Sequence, residues 1–148
     1  MDYRSTASFG KRQEFIVIAR LLQLWHDVYL TLVDDQQIDC VIRQENGTNL
    51  RYLDIQIKAR SSKINNPGTF SALEIRKPRE NFYFIFYSEL IDTYWIISSL
   101  DFIKEANQIK SGKNAGKYSI KFVNKYKENA KPRPRFSKYE NAFNILDF

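Results

Sequence analysis

A chain of 148 residues and 17.6 kDa can bury a substantial core, and it predicts one domain over residues 1–148. Its hydrophobic content of 43% and aromatic content of 15% exclude a disordered polymer. No apolar run nears the roughly 20 residues of a membrane span, the N-terminus carries no apolar signal segment, and a lone Cys40 excludes a disulfide framework, so the expectation is a cytoplasmic protein without a membrane partner.

In chain order, Ser8 is the expected N-cap of a helix running to about Leu24, with Phe15, Ile18, Ala19 and Leu22 at amphipathic spacing. Val28 to Val33 reads as a strand closed by Asp34-Asp35. Two further strands, near 38–44 and 50–58, flank Asn46-Gly47, a strong short-range hairpin signal. Residues 60–80 hold Asn65-Asn66-Pro67-Gly68 and Pro78, and so predict a loop with a short helix around Ser71 to Ile75. Phe82 to Tyr87 is apolar or aromatic on both faces, as in a central strand, and its rings are assigned to the core rather than to base stacking. Thr93 to Ser98 is another strand. Leu100 to Ile109 reads as a helix, 111–116 as a turn, Tyr118 to Phe122 as a strand, and Ser137 as the cap of a final helix through Leu146. This order predicts an α/β fold, a mixed central β-sheet flanked by helices.

The hairpin carries the chemistry. Side chains alternate along a strand, so Ile38, Cys40 and Ile42 share one face with Leu53, Ile55 and Ile57, leaving Asp39, Asp54, Gln56 and Lys58 on the other. With Asn46-Gly47 as a two-residue loop, Asp39 falls across from Asp54 and diagonal to Gln56. A four-residue loop puts it directly across from Gln56. A carboxylate, an amide oxygen and an ammonium converge in both registers.

This arrangement, a first helix bearing Glu14, a strand, the Asp39 strand and then Gln56-Ile57-Lys58, resembles the PD-(D/E)XK nuclease superfamily over roughly residues 8–60. Ile38 stands where the motif has proline, and Gln56 replaces the second acid. The resemblance implies a restriction-endonuclease-like fold and a metal-dependent DNA endonuclease. Its catalytic set would be Glu14, Asp39, Gln56 and Lys58, with Mg²⁺ (or Mn²⁺) held by Asp39, Gln56 and Glu14. Hard oxygen donors suit that ion, and Lys58 would orient the attacking water or offset developing charge. Cutting both strands needs two sites, so the resemblance also allows a homodimer. It further implies a crossover helix after the Lys58 strand, which residues 60–80 hardly supply.

Plainer readings stand beside this one. Asp39 could balance Arg43 or Lys58 on a solvated face, Asp54 could serve the surface alone, and Glu14 could pair with Lys11. The whole chain could then be a nuclease-like domain that binds nucleic acid without cutting it, or an α/β interaction domain. His26, the single histidine, cannot build a His-based zinc site. No Gly-rich phosphate loop, Gly-x-Ser-x-Gly elbow or Cys-x-x-Cys pair offers another chemistry.

The net charge of +6 is unevenly spread. From Lys110 to Lys138 there are ten Lys or Arg residues against Glu128 alone. Such a segment suits a polyanion, because neutralising phosphates releases condensed counterions. Segment 110–138, with Lys131, Arg133 and Arg135, is the expected nucleic-acid contact. A solvated basic tail is the plainer alternative.

Overall fold

The computed structural model describes residues 3–33, 36–124 and 130–148, with side chains from residue 6 onward. Helix α1 (Tyr3–Gln23) begins before Ser8, which is therefore an exposed interior residue and not a cap. Its buried stripe is Gln13, Val17, Ile18 and Leu21, which differs from the expected stripe. Phe15, Ala19 and Leu22 face outward. Two apolar stripes compete on this helix, and the sheet takes only one of them.

Five strands follow in a sheet of order β1-β2-β3-β5-β6: β1 (Asp27–Leu30), β2 (Cys40–Asn46), β3 (Asn49–Arg60), β5 (Phe82–Ser88) and β6 (Thr93–Ser98). Of these, β3 and β5 pair in parallel and the other neighbours antiparallel, so the sheet is mixed. The first strand is shorter than expected, since Thr31–Val33 leave it, and the Asp34-Asp35 stop lies outside the described residues.

The β2–β3 hairpin turns one residue later than Asn46-Gly47. Asn46 pairs with Asn49, leaving Gly47-Thr48 as the two-residue loop. Positive φ occurs at Gly47 (62°) and not at Thr48, the pattern of a type II′ turn with glycine first. That shift pairs Val41 with Asp54, so the register points Asp39 toward Gln56. Asn46 thus serves as a ladder residue.

The parallel step from β3 to β5 needs a crossover, normally helical. Here it contains strand β4 (Thr69–Leu73) where a short helix was expected over Ser71 to Ile75. Phe70 and Leu73 are buried in an apolar cluster, and Ala72 takes φ 56° at the irregular step between them. Strand β4 joins β8 (Tyr118–Lys121) and β7 (Asn107–Gln108) in a second, three-stranded sheet. Helix α2 (Ser99–Glu105) is capped by the Ser98 hydroxyl, which accepts from the Asp101 amide, and stops early because the chain turns into β7. The expected C-terminal helix is instead two 3₁₀ segments, Pro134–Tyr139 and Phe143–Leu146, with Asn141 at φ 50° between them. Pro134 opens the first, and Ser137 lies inside it.

Each face of the main sheet has its own core. On one, Val17, Ile18 and Leu21 of α1 meet Cys40, Ile42, Leu53, Ile55, Ile57, Ile85 and Ile96, joined by Phe143 and Leu146. On the other, Phe82, Phe84, Phe86, Trp95 and Ile97 meet α2, the second sheet and the Phe136 segment. The ring of Trp95 stacks on Phe122 with centroids 4.8 Å apart. Strand β5 alternates between the two cores, which is why Phe82 to Tyr87 is apolar on both faces.

Candidate active site

Strand β3 outruns β2. Ladder pairing with β2 ends at Cys40 opposite Ile55, while pairing with β5 continues to Arg60. Residues 56–60 therefore have one edge open beyond the end of β2. Asp39 sits at that point, immediately before β2. Its amide donates to Ile55 O at 2.8 Å, and its Oδ2 accepts from the Ile57 amide at 2.7 Å. The carboxylate thus takes the place a ladder carbonyl would fill. Thr31 holds the same backbone from the β1 side, with its Oγ1 donating to Ile38 O at 2.7 Å and Asp39 O at 3.2 Å.

The N–H and C=O of one strand residue leave on the same side, so the Ile57 carbonyl also points to the open edge. Gln56 and Lys58 flank it and share the other sheet face, each opposite a phenylalanine of β5 (Phe84 and Phe86). Gln56 is buried, and its Oε1 accepts no hydrogen bond among the described residues. A buried amide oxygen left unsatisfied costs about 1–3 kcal/mol, so this atom is a candidate ligand oxygen.

Glu14 comes from α1. It lines a groove of about 570 Å³ with Phe9, Ile57, Lys58, Arg60 and Lys63, and a smaller one of about 100 Å³ with Phe15, Leu30, Leu32 and Asp39. It therefore shares one groove with Lys58 and the other with Asp39. Its carboxylate pairs with Lys11 at 2.9 Å. Between strand and helix, Cys40 registers the local charge: burial first, then the Asp39 and Glu14 carboxylates, together push its thiol up to about 12. Such a thiol stays protonated and is no nucleophile.

Among the described residues, no three His, Cys, Asp or Glu side chains gather as a metal-holding group. A cation at the open edge would draw on two carboxylates, Asp39 and Glu14, completed by the neutral oxygens of Gln56 and Ile57 and by water. Mg²⁺ accepts such a set, since it commonly keeps several waters and one or two carboxylates.

Asp54, on the same face, is occupied by Arg79 at 2.6 Å. The basic residues lie elsewhere. Arg135 pairs with Glu105 at 3.0 Å, Arg133 donates to Lys121 O at 2.9 Å, and both guanidinium groups cover the Phe136 ring. Lys131 is exposed, while Lys125, Lys127 and Glu128 lie outside the described residues. Sequence reasoning missed Arg60 and Lys63, which extend the positive charge of Lys58 along the larger groove. The alternation that singled out Gln56 and Lys58 also reaches Arg60. It missed Gln13 as well, a fully buried amide whose Nε2 donates to Glu89. No sequence signal distinguishes that glutamine from an exposed one.

No protein-family model matches the chain, and no curated protein matches it. Among solved structures, it is similar to a bacterial homing endonuclease, I-Ssp6803I, with a TM-score of 0.64 and 18% identity over 96% of this chain and 93% of that one. The likeness is one of fold. It extends over nearly the full length of both chains.

Proposed function

We propose that this chain is a divalent-metal-dependent DNA endonuclease of the PD-(D/E)XK type, working in the cytoplasm, with Glu14, Asp39, Gln56 and Lys58 as its catalytic set. The observation that carries this reading is the open edge of β3. There a carboxylate is anchored on the Ile57 amide beside a buried Gln56 oxygen that accepts no hydrogen bond from the described residues. The endonuclease fold of the structural neighbour supports DNA as the substrate class.

Mg²⁺ or Mn²⁺, when bound, supplies charge neutralisation for the phosphate and an acidified water. The chain's own residues supply the rest. Asp39 offers an anionic oxygen whose direction is fixed by its backbone hydrogen bond. Gln56 and Ile57 offer neutral oxygens, so the site carries one charge fewer than a site with two strand acids, and Glu14 compensates from α1. Lys58, a point charge with three donors, positions the attacking water or stabilises charge developing on the phosphate. Arg60 and Lys63 extend positive charge along the larger groove for the phosphates beside the scissile one.

Supercoiled-plasmid cleavage across a metal titration, with EDTA as control, tests this. Asp39→Ala and Lys58→Ala are each expected to slow cleavage at least about 100-fold, with the thermal transition little changed for Lys58→Ala. Gln56→Glu is expected to tighten metal binding and shift half-maximal activity to lower metal concentration. Cleavage that persists undiminished in Asp39→Ala would place the active site elsewhere. A wild type that binds DNA without cutting, while Gln56→Glu cuts, would favour a nuclease-like binding domain, the reading that the neutral Gln56 supports.

A further inference from the structure

The core-facing stripe of α1 does not run the length of the helix. Val17, Ile18 and Leu21 pack on the sheet. One and two turns before Ile18, the same helix face carries Glu14 and Gly10. There the helix does not pack on the sheet. With Phe9, these two residues line the larger groove, whose other side is the open edge of β3. A glycine inside a helix weakens it relative to alanine, and a close neighbour is the common reason for one. Gly10 has no such neighbour, since an added Cβ would meet nothing within 4 Å. Packing within the chain gives no reason for glycine here. What Gly10 keeps is the width of the groove.

At about 570 Å³ the groove lies within the roughly 300–1,000 Å³ of sites that enclose a small molecule. Its lining is of two kinds. Phe9, Ile57 and Ile64 are apolar, whereas Lys58 and Lys63 are cations with no carboxylate partner among the described residues. The strand adds a third feature. The Glu89 amide donates to Arg60 O at 3.0 Å, so Arg60 turns its backbone groups toward β5. By alternation, Ala59 turns its N–H and C=O toward the open edge, beyond the end of pairing with β2. A donor and an acceptor stand there side by side, without a ladder partner among the described residues.

We propose that the larger groove receives one unpaired nucleotide of the DNA strand, beside the phosphate that Lys58 and Glu14 approach. The preferred substrate is then DNA with a bulge, a mismatch or a frayed end at the cut. This deepens the nuclease reading and rests on it for DNA as the ligand. The base meets Phe9 and the two isoleucines, its hydrogen-bonding edge meets Ala59, and the flanking phosphates meet Lys58 and Lys63. Extruding a base from a paired stack costs unpairing and unstacking, and that cost is least for a nucleotide already unpaired. Stacking on an aromatic ring tolerates every base. The groove therefore selects for strand structure and not for sequence.

Fluorescence anisotropy of the full chain in EDTA tests it, comparing a labelled paired duplex with the same duplex carrying one unpaired nucleotide. The wild type is expected to bind the second about 10-fold more tightly or better. Gly10→Leu fills the groove and is expected to abolish that difference while keeping the affinity for the paired duplex. Its thermal midpoint should rise by about 2–4 °C, because leucine is the better helix former. A later melt combined with a lost preference separates this from misfolding. Phe9→Ala, from the apolar wall, should also lose most of the preference. Equal affinity of the wild type for both duplexes, or a preference undiminished in Gly10→Leu, would overturn the proposal even if plasmid cleavage upholds the nuclease reading. A preference that Gly10→Leu removes, in a wild type that never cleaves with Mg²⁺, would support the groove and sink the catalytic reading instead.

Discussion

At the residue scale, Glu89 organises more of the site's scaffold than any residue the sequence singled out. Its Oε2 accepts from Arg12 at 2.6 Å and from buried Gln13, and its Oε1 accepts from the Ser62 amide at 3.3 Å. These bonds tie α1, one residue away from Glu14, to the end of β5 and to the loop after β3. Burial pushes the Glu89 carboxyl upward, but the Ser62, Arg12 and Gln13 donors outweigh it and hold the group below its ordinary value. A carboxylate depressed in the folded state contributes stability that is present above its unfolded pKa and lost as pH falls through the folded one. Glu89→Gln is therefore expected to cost about 1–2 kcal/mol at neutral pH, with little of that from Arg12, whose side chain is largely exposed. The difference from wild type should shrink as pH is lowered from about 5 to 3. Urea unfolding of both proteins across that range measures it, and a gap independent of pH would mean that the charge contributes nothing.

At the element scale, the crossover from β3 to β5 is the part of the fold that departs most from what the sequence predicts, and one glycine makes it feasible. Gly68 lies so close to the end of β8 that an added Cβ would meet Val123 Cγ2 at 2.5 Å and the Val123 backbone nitrogen at 3.0 Å. Its carbonyl accepts from the Phe122 amide at 2.8 Å, which docks the loop. A methyl side chain could turn away, but a backbone nitrogen cannot, so Gly68→Ala is expected to destabilise by about 1–3 kcal/mol. A thermal melt of that variant unchanged from wild type would show that the crossover shifts without cost. The contrast with the hairpin explains what was legible. The β2 and β3 pattern is local alternation around a turn, so the strands, the buried Cys40 face and the Gln56-Lys58 pair could be read directly. The turn itself slipped by one residue because Gly47 satisfies two turn types, with Asn46 or Thr48 as its companion. The β4 strand was hidden because Phe70 and Leu73 are at helical spacing, and only their burial against β8 and the aromatic core makes them strand residues. Helix α1 was misread for a related reason. Phe15 and Leu22 form an apolar stripe as convincing as Val17 and Leu21, and a single chain offers no sign of which one the sheet will take.

Across the whole molecule, charge and chemistry are separated. The candidate catalytic groups lie at the open edge of β3, which Glu14 approaches from α1, while the basic C-terminal segment packs by the Phe136 ring against α2 and the aromatic core. A polyanion spanning both would be positioned by the basic segment and processed at the β3 edge, with phosphate contacts that carry little base information. The structure also grades the three basic residues. Arg135 is already paired with Glu105, and Arg133 is held by the Lys121 carbonyl, whereas the Lys131 side chain is exposed. On duplex DNA, removing one phosphate-binding cation lowers the slope of log affinity against log salt by about 0.9. Three equivalent cations would together account for nearly three in the Lys131, Arg133 and Arg135 triple Ala variant. With Arg135 compensated by Glu105, the expected drop is about 1–2, and Lys131→Ala alone should account for about half of it or more. Fluorescence anisotropy on a labelled duplex, in EDTA to prevent cleavage and over a salt series, reads both slopes. Glu105→Ala supplies the opposing arm, since freeing Arg135 should raise the slope above wild type. A triple variant whose slope matches wild type would leave the basic segment without a role in DNA binding, and would move the phosphate contacts to Arg60 and Lys63 at the larger groove.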